Sequence, residues 1–230
     1  MPGSEHQPST VASRLAGVRE RIESAAARVG RRQESITLIA VCKRKPVEDI
    51  VAAYEAGQRD FGENYVQEFA AKHDRLPPLQ DARFHFIGKL QSNKAAKAAA
   101  LFSAIHTLDS TKLARRLDRC GKPLEAFLEI KLSPEDSKGG MDPALLEALL
   151  KDMAATPNLR LAGLMTMPPW NPEPECARPY FRQLRKLAEQ HGLRGLSMGM
   201  SHDLEVAIEE GATHVRVGTA IFGPRQPRPG

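Results

Sequence analysis

The strongest constraint in this sequence is an alternation of eight short apolar segments with stretches of helical periodicity that have recognisable ends. The apolar segments are ITLIAVCK, RDFGEN, RFHFIG, AIHTLD, LEAFLEIK, RLAGLMTM, GLSMGM and HVRVGT. Ahead of them, Val11, Leu15, Val18 and Ile22 recur on one face of an opening amphipathic helix. Pro46 is placed to begin the first connecting helix and Gly57 to close it. Asp109 and Ser110 cap TKLARRLDRC, Asp142 with Pro143 starts ALLEALLKDMAA, and Gly192 and Gly211 stop two more. ECARPYFRQLRKLAEQHG reads as a longer helix behind the proline-rich loop MPPWNPEPE.

Eight strand-helix units within 230 residues predict one α/β domain over residues 11–223, a single (β/α)8 TIM barrel with an extra N-terminal helix. A doubly wound open sheet is the alternative, but neither GxGxxG nor GxxxxGKS/T follows the first strand. Residues 1–10 and 224–230 are proline-rich, lack apolar periodicity and read as disordered tails. No apolar run approaches the ~20 residues of a membrane span and the N-terminus shows no apolar signal core, so a cytoplasmic protein is expected. Cys42, Cys120 and Cys176 lack metal or disulfide spacing and read as reduced thiols. The net charge of +5 is densest in RVGRR, Arg28 to Arg32, around a glycine that looks like a helix C-cap. Nucleic-acid binding would want a basic stripe interleaved with stacking aromatics, yet aromatics are 5% of residues and none lies in that cluster. A small anionic ligand suits the charge as well.

The first strand runs straight into Lys43, with Lys45 and Pro46 behind it. Buried strands exclude lysine unless it is paired or neutral. Either the chain surfaces there, or the strand delivers an amine to a pocket mouth, where desolvation lowers its pKa and makes it a Schiff-base nucleophile. The glycine-rich turns SMGMS and VRVGTAIFG, after the seventh and eighth strands, bear on the choice. Barrel enzymes often bind phosphate in those two loops. Ser201 reads as a cap of the helix HDLEVAIEEG that also offers its hydroxyl to an anion; Gly218 permits close backbone approach and Thr219 adds a hydroxyl. A lysine at one lip and a phosphate cradle across the mouth describe a site for an aldehyde that carries a phosphate.

The motifs AVCKRKP, FGENYVQE, HFIGKLQSNK, HTLDS, SKGG, GLMTMPP and LSMGMSHDLEVAIEEGATHVRVGTAIFG, in this order, resemble the pyridoxal 5′-phosphate (PLP) homeostasis proteins. The barrel of that family is similar to the N-terminal domain of alanine racemase. The resemblance implies that Lys43 forms the internal aldimine with PLP and that Asn64 lines the cofactor pocket. It also implies that Arg216 faces the pyridine nitrogen and that Ser201, Gly218 and Thr219 hold the phosphate. The function implied is binding, buffering and delivery of PLP by a monomer, with apo forms of PLP enzymes as recipients and little or no turnover. A PLP-dependent racemase or decarboxylase is the alternative, and a barrel acting on a phosphorylated sugar through a lysine ranks last. Neither a metal nor a membrane is expected.

Several neighbouring residues carry competing readings. Cys42 stands where the family pattern usually has serine, and a thiol beside an aldehyde cofactor is able to form a thiohemiacetal. Lys45 reads as a solvated loop lysine, whereas Lys94 and Lys138 sit on loops that face the mouth. His85, by alternation with Phe84 and Phe86, points into the barrel as a satisfied interior histidine, and His106 and His214 occupy similar strand positions. Glu63 reads as a hydrogen-bonding group of the mouth or as an acid or base. Trp170 on the MPPW loop is either a pocket cover or part of a partner surface.

Overall fold

The computed structural model describes residues 10–133 and 139–224. Lys138 and nearly all of both expected tails lie outside them. Thr10, at the edge of the first tail, is the N-cap of α1 (Val11–Arg28) and accepts from Ser13 N. Eight parallel strands follow: β1 (Thr37–Val41), β2 (Asp60–Glu63), β3 (Arg83–Phe86), β4 (Ala104–Leu108), β5 (Leu124–Glu129), β6 (Leu159–Met165), β7 (Gly195–Met200) and β8 (His214–Val217). They close in sequence order, with β1 paired to β8 through Ala40 and Val217, so the open-sheet alternative is excluded. The connecting helices are α2 (Val47–Glu55), α3 (Val66–His73), α4 (Ala95–Leu101), α5 (Thr111–Asp118), α6 (Leu146–Met153), α7 (Arg178–Gln190) and α8 (Leu204–Glu209), and α9 (Thr219–Phe222) follows β8.

The caps follow the local chemistry of the chain. Pro46 precedes α2, whose first turn carries Glu48 and Asp49, and Gly57 ends it at φ 84°. Ser110 caps α5, while Asp142 accepts from Ala144 N and opens a short 3-10 turn ahead of α6.

Side chains alternate between two cores. Leu38, Ala40 and Cys42 belong to the layer between strands and helices, together with Phe61, Phe84 and Phe86. Phe69 of α3 packs there against Phe84 at 4.6 Å and Phe102 at 4.9 Å between ring centroids, which fixes α3 over β2 and β3. Ile39, Gly62, His85, His106, Phe127 and Ser197 fill the barrel itself.

Two arginines of the RVGRR cluster bond to other parts of the chain, while Arg32 stays exposed beside Glu34. Arg28 pairs with Glu209 at 2.8 Å, and Arg31 Nη1 donates to Ile208 O. Arg21 meets Glu205 at 2.6 Å and donates to Ser201 O, while Arg14 Nε donates to Ile221 O at 2.6 Å. Helix α1 therefore braces α8, α9 and the turn after β7. Among the described residues no helix is long and apolar enough to cross a membrane.

Candidate functional site

Strand register brings most of the predicted site residues to one arc of the barrel lip. Val41 of β1 pairs with Gly62 of β2, so Lys43 and Asn64, each two residues further on, lie at the same level of adjacent strand ends. On the other side β1 adjoins β8, and a Cβ built on Gly218 would sit 3.2 Å from Val41 O. Met200 of β7 pairs with Arg216, which puts Ser201 beside the turn after β8. The arc β7-β8-β1-β2 thus carries Ser201, Gly218 and Thr219, then Lys43, then Asn64. The turn after β8 is next to Lys43 rather than across the mouth, because the first and last strands of a closed barrel are neighbours.

Lys43 lies just beyond β1, in a turn closed by a hydrogen bond from Lys45 N to Cys42 O at 3.1 Å. Arg44 occupies that turn at φ 58°, the left-handed region. Cys42 is fully buried in the strand-helix layer, its Sγ 3.4 Å from Glu63 Oε1. Burial and the neighbouring Glu63 push its thiol well up, and it faces away from the mouth. Lys45 is half-buried and engaged rather than a free loop lysine: its Nζ donates to Phe222 O at 2.7 Å, and to Gly223 O and Pro224 O, which secures α9. Glu63 also turns outward and pairs with Lys72 of α3 at 2.8 Å. It belongs to that layer, so neither mouth reading of it holds.

The turn after β8 presents backbone amides to the Ser201 hydroxyl. Gly218 N and Ala220 N point at Ser201 Oγ from 3.3 and 3.5 Å, at and beyond the long end of normal N–H···O bonds. Asp203, not Ser201, precedes α8, and its carboxylate accepts from Met200 N at 2.6 Å. The Ser201 hydroxyl is thereby left to the turn after β8. Thr219 is exposed at the start of α9. On the far side of Lys43, the Asn64 side-chain oxygen is buried without a hydrogen-bond partner. Any Cβ on Gly88 would lie 2.1 Å from Asn64 O, so glycine there sets the position of Asn64. A cavity of about 460 Å³ adjoins Asn64 and is lined by Tyr65, Lys89, Gln91 and Lys94.

Beneath the mouth, Arg216 is 4% exposed and anchors an interior chain of hydrogen bonds. Its Nη2 donates to Thr166 O at 3.1 Å and its Nη1 to Ser197 Oγ at 2.6 Å. Ser197 Oγ lies 2.8 Å from His106 Nδ1, His106 Nε2 3.0 Å from His85 Nδ1, and His85 Nε2 2.9 Å from Asp60 Oδ1. One tautomer set satisfies every link. The Ser197 hydroxyl donates to His106, His106 Nε2–H to His85, and His85 Nε2–H to the Asp60 carboxylate. Burial holds His106 well below its ordinary value, and lowers His214 to about 4. Burial also lowers Arg216 to about 10, opposed by Asp203 and Glu129, which still leaves the guanidinium charged at neutral pH. The interior reading of His85 and His106 holds, since both nitrogens of each ring are engaged.

Glu129, at the end of β5, escapes the sequence reading. It is buried on the mouth side, and burial, with the charge of Asp109, raises its carboxyl to about 7 against the pull of Arg216 and Lys89. Its only sequence signal is parity with Phe127, which points into the barrel. Ser197 is hidden in the same way within GLSMGM. Trp170 is 75% exposed on the loop after β6, its ring 6.3 Å from His202, whose Nε2 bonds Pro172 O.

This closed barrel is the fold of the alanine racemase N-terminal domain, whose family model matches residues 14–226. Alanine racemase from Corynebacterium glutamicum shares it at a TM-score of 0.67 and 17% identity, over 95% of this chain and 62% of that one. A nearer relative is PipY of Synechococcus elongatus, solved with PLP bound. It is 41% identical with a TM-score of 0.84, over 93% of this chain and all of that one. The pyridoxal phosphate homeostasis protein of Escherichia coli K12 is 45% identical over 229 residues, covering 94% of this chain and 97% of the relative. The chain belongs to the pyridoxal phosphate homeostasis protein family.

Glu129 yields a pH prediction. Its carboxyl titrates higher in the folded protein than the ordinary value of 4.5, so the native state binds the extra proton between pH 4.5 and about 7 and this contribution to stability is lost as pH rises through that window. Replacing Glu129 with Gln should flatten the decline. Denaturant midpoints of the two proteins, compared from pH 4.5 to 8, should converge at the acid end.

Proposed function

We propose that this protein binds PLP through Lys43 and holds it for release to apo-enzymes rather than turning over amino acids. The observation that carries the reading is the arc of strand ends, with the Lys43 amine between an amide-lined anion turn and an unpartnered Asn64 oxygen. The aldehyde and phosphate arms of PLP leave adjacent ring carbons, which suits an amine and an anion turn on neighbouring strands. The ring nitrogen lies opposite the aldehyde, and Arg216 lies deeper, on β8, whose last residue precedes Gly218. With PLP bound, Lys43 would supply the amine that holds its aldehyde carbon as a C=N link, the aldehyde oxygen being released as water. Amides of Gly218 and Ala220, with Ser201 and Thr219, take the phosphate, and Asn64 lines the opposite side.

Arg216 is a protonated donor without an acceptor, so facing bound PLP it would leave the ring nitrogen unprotonated and the ring a poor electron sink. A second reading, proton exchange on amino acids, draws support from Glu129, whose pKa of about 7 suits a general base. The monomeric state and the cytoplasmic location remain parts of the proposal.

Three tests follow from these roles. Borohydride reduction of protein loaded with PLP, followed by peptide mass mapping, should place the pyridoxyl group on Lys43; finding it chiefly on Lys45 or Lys94 would sink the assignment. Ser201→Ala should weaken retention of PLP by about 1 to 2 kcal/mol, as loss of one hydrogen bond to a charged group does, and that of unphosphorylated pyridoxal much less. Equal weakening of both would place the phosphate elsewhere. Incubation with amino acids in deuterated water should leave the α-hydrogen in place. Rapid α-deuteration that needs both Lys43 and Glu129 would establish the second reading instead.

A further inference from the structure

We infer that Glu68 and Lys72, one turn apart on α3, are positioning residues for the Lys43 amine. They lock the turn between β1 and α2 by binding the peptide groups on either side of that lysine. The inference rests on the proposed role of Lys43, and on geometry that role does not use.

Lys72 is nearly buried, and its Nζ has three acceptors for its three protons: Cys42 O at 2.9 Å, Glu63 Oε1 at 2.8 Å and Glu68 Oε1 at 2.7 Å. Glu68 Oε1 also accepts from Arg44 N at 2.6 Å. The carbonyl just before Lys43 and the N–H just after it are therefore both held by α3. The Cα–Cβ direction of Lys43 is fixed between them. Arg44 needs this help, because a non-glycine residue at φ 58° is strained and a flip of its peptide would turn Lys43 away from the mouth. The Tyr65 ring, 5.7 Å from the Arg44 guanidinium, covers the same turn. Phe69, between Glu68 and Lys72 on the helix, is fully buried, so α3 cannot slide without opening the aromatic cluster. Burial pulls the Lys72 ammonium down, but the charge of Glu63 and bonds to both carboxylates more than offset it, so the cation persists at neutral pH.

The test compares wild type with Glu68→Ala, Glu68→Gln and the double variant Glu68→Ala/Arg44→Gly. In cofactor-free protein, deuterium exchange at the Arg44 amide should be at least about tenfold faster in Glu68→Ala, since the Glu68 carboxylate that accepts from it is gone. On mixing with PLP, the visible band of the C=N product should grow about tenfold more slowly in Glu68→Ala, the scale of one charge-assisted hydrogen bond. Glu68→Gln keeps an acceptor and should retain most of the rate. Arg44→Gly should restore the rate in the Glu68→Ala background, because glycine takes positive φ without strain; a merely stabilising role of Glu68 would show no such rescue. Wild-type rate in Glu68→Ala, or a double variant as slow as Glu68→Ala, overturns the inference while borohydride trapping on Lys43 stands. No trapping on Lys43 in wild type defeats the binding proposal and this one together. Lys72→Met, which strands the buried Glu63, is not needed for the decision.

Discussion

A guanidinium enclosed in a parallel barrel is the constraint around which the interior is arranged. Isolated in an apolar barrel, Arg216 would be strongly disfavoured. Two of its N–H groups are instead taken by Thr166 O and by a chain through Ser197, His106 and His85 to the Asp60 carboxylate at the other end of the barrel. Inward positions that an ordinary barrel fills with Val, Ile and Leu are therefore given to histidine and serine. Such a network is stable only when every member is satisfied, which explains why the chain leaves no ring nitrogen of His85 or His106 unused.

The outer layer performs a different task with the same economy of partners. Its aromatic cluster sets α3 against β2 and β3, and α3 then reaches back to the loop that follows β1. Glu63, Glu68 and Lys72 leave one Glu63 oxygen without a partner in a buried site, and burial keeps that carboxyl above its ordinary value despite Lys72. Two carboxylates around one cation is a poor arrangement for stability alone, since a buried ion pair seldom outperforms apolar packing. It makes sense for a group whose direction matters.

The barrel was legible because strands covered on both faces carry nearly continuous apolar runs, and the helices between them have proper caps. The apolar segments overrun the strand ends by one or two residues at several places. Cys42 and Ile130 are apolar and buried but lie beyond the last strand residue, where the chain still packs on helices. Lys43 stood out because an amine after such a run is anomalous. Glu68 and Lys72 did not, since two opposite charges four residues apart look like any solvated helix face. The cap half of the Ser201 reading fails because a serine ahead of a helix fits a cap, whereas Asp203 precedes α8 and the register of β7 against β8 directs the Ser201 hydroxyl to the turn after β8. Glu63 failed for want of a facing: sequence gives parity along a strand but not which parity faces the mouth.

The seam between β1 and β8 has a temporal consequence. Lys43 follows the first strand, whereas the anion turn follows the last, and Arg14 and Lys45 reach across about 180 to 210 residues of chain to hold the carbonyls of α9. Translation delivers these two halves at opposite ends of the process. No growing chain in which β8 is still unmade possesses the arc of strand ends from β7 to β2. That arc is completed in one step, at ring closure, and a ligand spanning the seam would in turn act as its clasp.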